Sequence, residues 1–449
     1  MTDILQFPPD FRWGTAVSAH QVEGGNTLND WWLWEHLPGK IRHGHTSAVA
    51  ADWWNRAEDD IALAAQLGHS ALRISLEWSR IEPRPGEFDE AALARYRRML
   101  TAIRQHGMEP LVCLFHFTLP QWVAARGGFE TAYGVDRFAR FVDRVAYEYR
   151  DLVQWWLTIN EPLVYVALGW FLGLWPPGKK NLVAAMRVAL NLVHAHADAY
   201  HIIHRHRPDA WVSAAIHLAS YVPHNPASRW DQGVAQARDW LLNQVWLRAT
   251  LDGRLRPPLG RGQVLGEAVD THDYMGYQHY FTFPLAFSWR HAPTMFGREM
   301  TLAREGVPWF MGEARPEGLG VWATWLKQFG KPIIVTENGL LELTEQQRPA
   351  YLLRAVASLH RAIQDGADVR GYFHWTLVDN FEWAEGYETR FGLVEVDFET
   401  QQRTIRPSGY LFRDLARANG ITRQMAEAVA PDLLPAYFDP RPAGQPVRS

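Results

Sequence analysis

A repeated alternation limits this chain more than any other feature of its sequence. Short apolar runs occur at about 11–17, 71–78, 111–117, 153–159, 211–220, 273–280, 331–339 and 369–378. Between and after them lie stretches with apolar residues three and four apart, the helical spacing. These cover about 53–67, 89–106, 134–150, 181–207, 227–251, 317–329, 345–364 and 406–419. In the first, Trp53, Trp54, Ala57, Ile61, Ala64 and Leu67 recur on one face and Gly68 closes the helix. Strand–helix alternation predicts a parallel sheet with helices packed outside it. Eight such units without an interrupting linker predict one α/β domain spanning 1–449, a (β/α)8 TIM barrel with elaborated βα loops. Neither a glycine-rich dinucleotide fingerprint nor a P-loop follows any strand. The last segment, about 430–449, carries five prolines and is expected to be a surface tail.

Barrel enzymes place catalytic groups at the carboxyl ends of their strands. Two stretches put a carboxylate there. Residues 331–339 read Lys-Pro-Ile-Ile-Val-Thr-Glu-Asn-Gly, a β-branched run followed by Glu337 and an Asn-Gly turn. Residues 155–162 read Trp-Trp-Leu-Thr-Ile-Asn-Glu-Pro and end in Asn160 and Glu161. Either glutamate alone could merely cap a loop; two of them suggest a pair acting together. In 71–78 the alternation puts Arg73, Ser75 and Glu77 on one strand face, which suits a site better than a core.

Composition narrows the partners. With 45 basic and 49 acidic residues, and no basic run interleaved with aromatics, the chain has no polyanion-binding character. The N-terminus lacks a signal-peptide pattern and no apolar run is long enough to span a membrane. The single cysteine, Cys113, excludes an internal disulfide and reads as a small buried hydrophobe. A cytoplasmic protein is expected. Twenty-two tryptophans suit either a large aromatic core or stacking on the C–H faces of sugars. Five histidines on the 181–207 stretch (194, 196, 201, 204 and 206) lack a metal-ligand pattern and read as a mixed helix surface.

Five motifs in order then carry a resemblance. They are 7–24 (Phe-Pro-x-x-Phe-x-Trp-Gly-Thr-Ala through Gln-x-Glu-Gly), 73–81 ending in Trp-Ser-Arg-Ile, 158–162 (Thr-Ile-Asn-Glu-Pro), 336–339 (Thr-Glu-Asn-Gly), and 375–392 with its Trp-Thr-Leu-Val-Asp-Asn-Phe-Glu-Trp run. The chain resembles glycoside hydrolase family 1, the β-glucosidase family, over nearly its whole length. That resemblance implies a retaining β-glycosidase that works through a covalent glycosyl-enzyme, releases sugar from the non-reducing end and uses no cofactor or metal. It implies Glu337 as nucleophile, Glu161 as acid/base, Arg73 and Tyr280 beside the nucleophile, and Asn160 on the sugar 2-hydroxyl. Arg73 is expected to lower the nucleophile's pKa, and Glu161 is expected to have a raised one. The implied sugar ligands are Gln21, His116, Glu382 and Trp383, with Trp375 as a stacking floor. Glu382 argues for an unphosphorylated glycone, since a 6-phosphate beside a carboxylate is unfavourable.

The sequence departs from the family pattern at Gln278-His279-Tyr280 (usually Asn-Tyr-Tyr), at Phe117 (usually Trp), at Met311-Gly312-Glu313 (no Trp after the glycine) and at Glu77. These departures predict altered subsite or leaving-group preference. A transglycosylase would carry the same residues. A non-catalytic sugar binder should have lost Glu161, Glu337 or Arg73. A metal-dependent barrel hydrolase would need strand-end histidine clusters, where only His116 and His374 qualify.

Overall fold

The computed structural model describes residues 3–301, 311–342 and 345–439. Eight parallel strands close into a barrel in chain order. They are β1 (Arg12–Ala16), β2 (Ala71–Ser75), β3 (Glu109–Phe115), β4 (Trp155–Asn160), β5 (Trp211–His217), β6 (Met275–Gln278), β7 (Ile333–Asn338) and β8 (Val369–Trp375), which pairs back onto β1. The surrounding helices are α1 (Trp53–Gln66), α2 (Glu90–Gln105), α3 (Ala132–Tyr149), α4 (Leu182–His206), α5 (Arg229–Asp239), α6 (Val245–Asp252), α7 (Gly318–Leu326), α8 (Arg348–Gln364) and α9 (Pro407–Ala418). Their starts follow local chemistry. Asp89 accepts from the backbone N–H of Ala91 and Ala92, and Asn181 accepts from Ala184, so each meets orphan donors of a first turn.

Inside the barrel, Ala71, Leu111, Cys113, Leu157, Ala215, Tyr274, Ile334 and Phe373 form one apolar plug. Trp155 and Trp211 stack at 5.7 Å beneath it, with Tyr274 against Trp211 at 6.1 Å. Gly14 must be glycine to admit Phe373, because a Cβ there would stand 2.8 Å from its ring. The opposite, carboxyl end of the strands is polar. The ladder is irregular at that end of β4, β6 and β7, with breaks between Leu157 and Asn160, Tyr277 and Gln278, and Val335 and Asn338. Bulges re-aim side chains, and these lie directly under Glu161, Gln278 and Glu337.

Several expected boundaries change. The 71–78 strand stops at Ser75, so Glu77 does not face the barrel interior. It caps the turn Trp78–Ile81 instead, accepting from Ser79 Oγ at 2.6 Å. The single helix expected over 227–251 is α5 and α6 joined by a π turn at Trp240–Gln244. The 211–220 strand splits into β5 and Ser220–Pro223, which joins Thr282–Phe287 and Gly297–Glu299 in a small outer sheet. That sheet was not legible from periodicity. Of the expected tail, residues 430–439 pack back on the body, with Leu433 and Phe438 buried and Arg354 paired to Asp432; residues 440–449 lie outside the described residues.

Candidate active site

Every site residue expected from the sequence gathers at or just beyond the carboxyl ends of the strands. Glu337, near the end of β7, is 4% exposed. Arg73 Nη1 on β2 pairs with its Oε1, and Tyr280 Oη donates to Oε2 at 2.8 Å. Arg73 reaches further: Nη1 donates to the Thr336 carbonyl at 3.0 Å and Nη2 to Asn160 Oδ1 at 2.7 Å. One fully buried guanidinium therefore fixes groups on β4 and β7 together.

Electrostatics correct one expectation. Burial raises the Glu337 carboxyl, to about 7, and the nearby Glu161 adds to the rise. Arg73 and Tyr280 pull the other way without overcoming burial, so the arginine limits the rise and does not produce a net depression. The cation and the phenol both pull Glu337 toward its charged form against that burial. Burial holds Tyr280 as a neutral donor, well above the usual phenol range.

Asn160 Oδ1 accepts a second hydrogen bond, at 2.7 Å, from Gln278 Nε2. The longer amide thus fits its slot and holds the asparagine oxygen from the β6 side. Gln278 Oε1 is buried and has no hydrogen-bond partner among the described residues. Asn160 Nδ2 lies 3.2 Å from His116 Nε2. Burial and Arg73 keep His116 well below the usual histidine range, so it is a neutral ring, and its Nδ1 has no protein partner.

The far wall comes from loops. Gln21 Nε2 donates to Glu382 Oε2 and to Asn380 Oδ1, both at 3.1 Å, and Ser18 Oγ donates to Gln21 Oε1 at 2.6 Å. Trp375 also bonds Glu382. Burial, with Glu337 adding, pushes Glu382 up to about 8. The His116 ring stacks within 6.0 Å of Trp375 and 6.2 Å of Trp383. Trp383 in turn touches Trp31, Trp175 and Phe117, at 4.6, 5.8 and 5.4 Å. Phe117 therefore sits within an aromatic wall rather than alone.

Glu161 is held differently. Its backbone lies in the left-handed region, φ 42° and ψ 61°, an uncommon place for a glutamate and one where strain concentrates at working sites. Its N–H donates to the Ala215 carbonyl at 2.8 Å, and its carboxyl lies 3.0 Å from His217 Nδ1 on β5. His217 was missed by sequence reading. Its signal was only its place as the last residue of a strand, which a single histidine does not advertise. Glu77 was also misread. It accepts from Thr118 Oγ1 at 2.9 Å and Asn29 Nδ2 at 3.3 Å, and so ties the loop carrying Gln21 to the loop after His116.

The α4 histidines correct another expectation. His196 is fully buried, bonded to Thr158 Oγ1 at 2.6 Å and the Thr271 carbonyl at 2.8 Å, and burial lowers it to about 3. His194, His204 and His206 pair instead with Glu267, Asp273 and Asp143. Cys113 is buried below Arg73, and burial pushes its thiol up.

Two carboxylates at barrel strand ends, one buried and clamped by a guanidinium and a phenol and the other half-buried, form the kind of site that retaining glycosidases use. The model of glycosyl hydrolase family 1 matches residues 4–258 and 286–421, and the chain belongs to that family as a retaining β-glycosidase. It is 32% identical to β-glucosidase A of Acetivibrio thermocellus, over 93% of this chain and 99% of that protein. Among solved structures it is similar to a β-glycosidase from Pyrococcus horikoshii (TM-score 0.87, 32% identity, 95% and 98% of the two chains). It is also similar to a Thermotoga maritima β-glucosidase in complex with glucoimidazole (TM-score 0.86, 28% identity, 93% and 100%). Among the described residues no helix is long and apolar enough to cross a membrane.

Proposed function

We propose that this enzyme hydrolyses unphosphorylated β-glucosides in the cytoplasm, from the non-reducing end, with Glu337 as nucleophile and Glu161 as acid/base. The barrel is taken as one catalytic domain. The observation that carries the assignment is the clamp on Glu337: a carboxylate fixed through both oxygens by Arg73 and Tyr280 is oriented, and its charged form is supported against the burial that opposes it. Glu161, whose carboxyl has His217 as its one ion-pair neighbour among the described residues, is free to pass a proton.

In the first step Glu337 bonds to the anomeric carbon as the glycosidic bond breaks, and the Glu161 proton moves to the leaving oxygen. In the second, water gives its proton to Glu161 while its oxygen displaces Glu337. Asn160, turned by Arg73 and Gln278 so that its oxygen is occupied, offers its amide N–H toward the sugar's 2-hydroxyl. Gln21 and Glu382, already bonded to each other, form a fork for adjacent hydroxyls. Substrate hydroxyls donating to Glu382 would replace solvation it lacks when empty. The side chains bonded to Glu382, Gln21 and Trp375, are neutral. A 6-phosphate would therefore meet carboxyl oxygens without a cation. The glucoimidazole complex of the Thermotoga relative supports a glucose-sized glycone.

The test is the initial rate on nitrophenyl β-glucoside, β-galactoside, β-fucoside and β-mannoside with EDTA present, together with a 6-phospho-β-glucoside. β-Glucoside or β-fucoside should lead, NMR should show the β-anomer released first, and the phosphorylated substrate should be far slower. Comparable turnover of the 6-phosphoglucoside would remove the glycone assignment.

A further inference from the structure

Strand β5 touches Glu161 twice. The Ala215 carbonyl takes its backbone N–H, and two residues on, the His217 ring reaches its carboxyl, with Nδ1 3.0 Å from Oε1. The pair is largely shielded, at 18% and 12% side-chain exposure. Nδ1 approaches outside hydrogen-bond alignment and has no other partner among the described residues. Such misalignment is common before substrate binds and closes with a small rotation of either group. The same ring stacks on Tyr280 at 6.2 Å and 21°, and Tyr280 donates to Glu337. His217 therefore contacts Glu161 directly and Glu337 through one phenol.

The groups facing the imidazole are Glu161 from β4, and His279 and Tyr280 after β6, with Glu337 beyond the phenol. Behind it a small cavity is lined by Pro162, Leu163, Leu242, Asn243 and Trp246, uncharged, with the amide and the indole N–H as its polar groups. Nothing in that wall competes as a charged partner for Nδ1, so the ring's polar edge is left to the carboxyl.

We infer that His217 is a positioning residue for the acid/base: its Nδ1–H receives the Glu161 carboxylate each time that glutamate gives up its proton. This rests on the assignment of Glu161 above. In the glycosylation step the C1–O bond breaks, the Glu161 proton goes to the leaving oxygen, and the carboxylate left behind turns to the imidazole N–H. In the second step Glu161 takes a proton from water and leaves Nδ1. A donor beside the carboxylate favours its charged form, so His217 eases proton delivery and sets the pH above which Glu161 can no longer act as acid.

The experiment uses His217→Phe, His217→Asn and Glu161→Gln in the full chain. On an alkyl β-glucoside, whose aglycone needs protonation, His217→Phe should lower kcat/KM by about 10–100-fold, the scale of acid/base assistance. On 2,4-dinitrophenyl β-glucoside, whose aglycone leaves unaided, kcat/KM should change less than about threefold. The alkaline limb on the alkyl substrate should move to higher pH in His217→Phe and return with the amide donor of His217→Asn. Separately, at alkaline pH the His217 Nδ1–H proton resonance should lie downfield and move upfield in Glu161→Gln, where the anion is gone. Equal losses on both aglycones with the limb unmoved mean that the ring only packs, and overturn the inference. So does an unmoved Nδ1–H resonance. A shifted resonance with Glu161→Gln kinetics indifferent to the aglycone would instead remove the acid/base role of Glu161, and with it the positioning role of His217, while the contact itself stands.

Discussion

The two carboxyls proposed as catalytic contrast in how they are held. Glu337 ends a buried strand, with both oxygens engaged and a cation whose other arm is fixed to Asn160. Glu161 begins a short helix, Pro162–Val166, from a left-handed residue. That helix runs directly into a π turn, Ala167–Phe171, and another π turn lies across the cavity behind His217. A group that must attack one carbon from one direction gains from rigidity. A group that alternately loses and gains a proton gains from looser tethering and some solvent. The strand holds the first, and irregular backbone serves the second.

Removing each carboxyl should break the contrast most sharply. Glu337→Ala should lose about 10⁴–10⁶-fold in kcat on every aglycone, as deletion of a nucleophile does. Glu161→Ala should lose comparably on alkyl glucosides but far less in the first step on dinitrophenyl glucoside, where no proton is needed. Azide should then restore its turnover and give a β-glycosyl azide, because an anion needs no base. Product NMR and burst kinetics read both. Azide rescue giving the β-product in Glu337→Ala would reverse the assignments.

The next effect tests the clamp. Tyr280→Phe removes one donor from Glu337 and should cost about 10–10³-fold in kcat, the range for a preorganised donor at developing charge. Arg73→Lys keeps the charge and loses the fork that joins Thr336, Glu337 and Asn160, so it should cost at least as much. If Arg73→Lys costs less than Tyr280→Phe, the guanidinium acts as a point charge rather than a brace.

How legible this was follows the same division. The barrel and the strand-end glutamates were readable because parallel strands buried on both faces give unbroken apolar runs, and Glu337, Asn160 and Arg73 interrupt them. The strand breaks under these residues were not readable, since a bulge changes register without changing composition. Glu77 seemed inward because alternation was carried past Ser75, where the chain turns into a helical cap. His196 seemed superficial because α4 buries histidine as readily as alanine where Thr158 and Thr271 complete its bonds. His217 needed the third dimension: its partner is 56 residues away in sequence, across a strand pair.

The third test concerns pH and the sugar-facing wall. Glu382 ionises near 4.5 when unfolded and near 8 when folded, because burial and Glu337 disfavour its charge. Between those values the folded state keeps a proton that the unfolded state has lost, so stability falls as pH rises from about 4.5 to about 8. Glu382→Gln should remove that slope and melt higher relative to wild type at pH 8 than at pH 5, by a few kcal/mol or roughly a few degrees for a chain of this size. The same variant should bind glucoside poorly. A constant Tm difference across pH 5–8 would mean that the carboxyl is solvated in solution.

The smallest effect belongs to Glu77, which touches no reacting group. Its carboxylate gathers Asn29, Ser79 and Thr118 at distances of 2.6–3.3 Å and so fixes the approach of two sugar-facing loops. Glu77→Gln keeps the shape and one acceptor oxygen but turns the other into an NH2, which must face either Thr118 Oγ1 or the Asn29 and Ser79 donors. Leaving such buried groups mismatched costs about 1–3 kcal/mol. That loss should appear in thermal stability and as a several-fold rise in KM, with kcat on dinitrophenyl glucoside nearly unchanged, because β2, β4 and β7 hold the catalytic groups independently of these loops. A large fall in kcat would show that the sugar-binding loops and the catalytic floor are one mechanical unit, and that the contrast between rigid strand and tolerant loop does not hold on this side of the barrel.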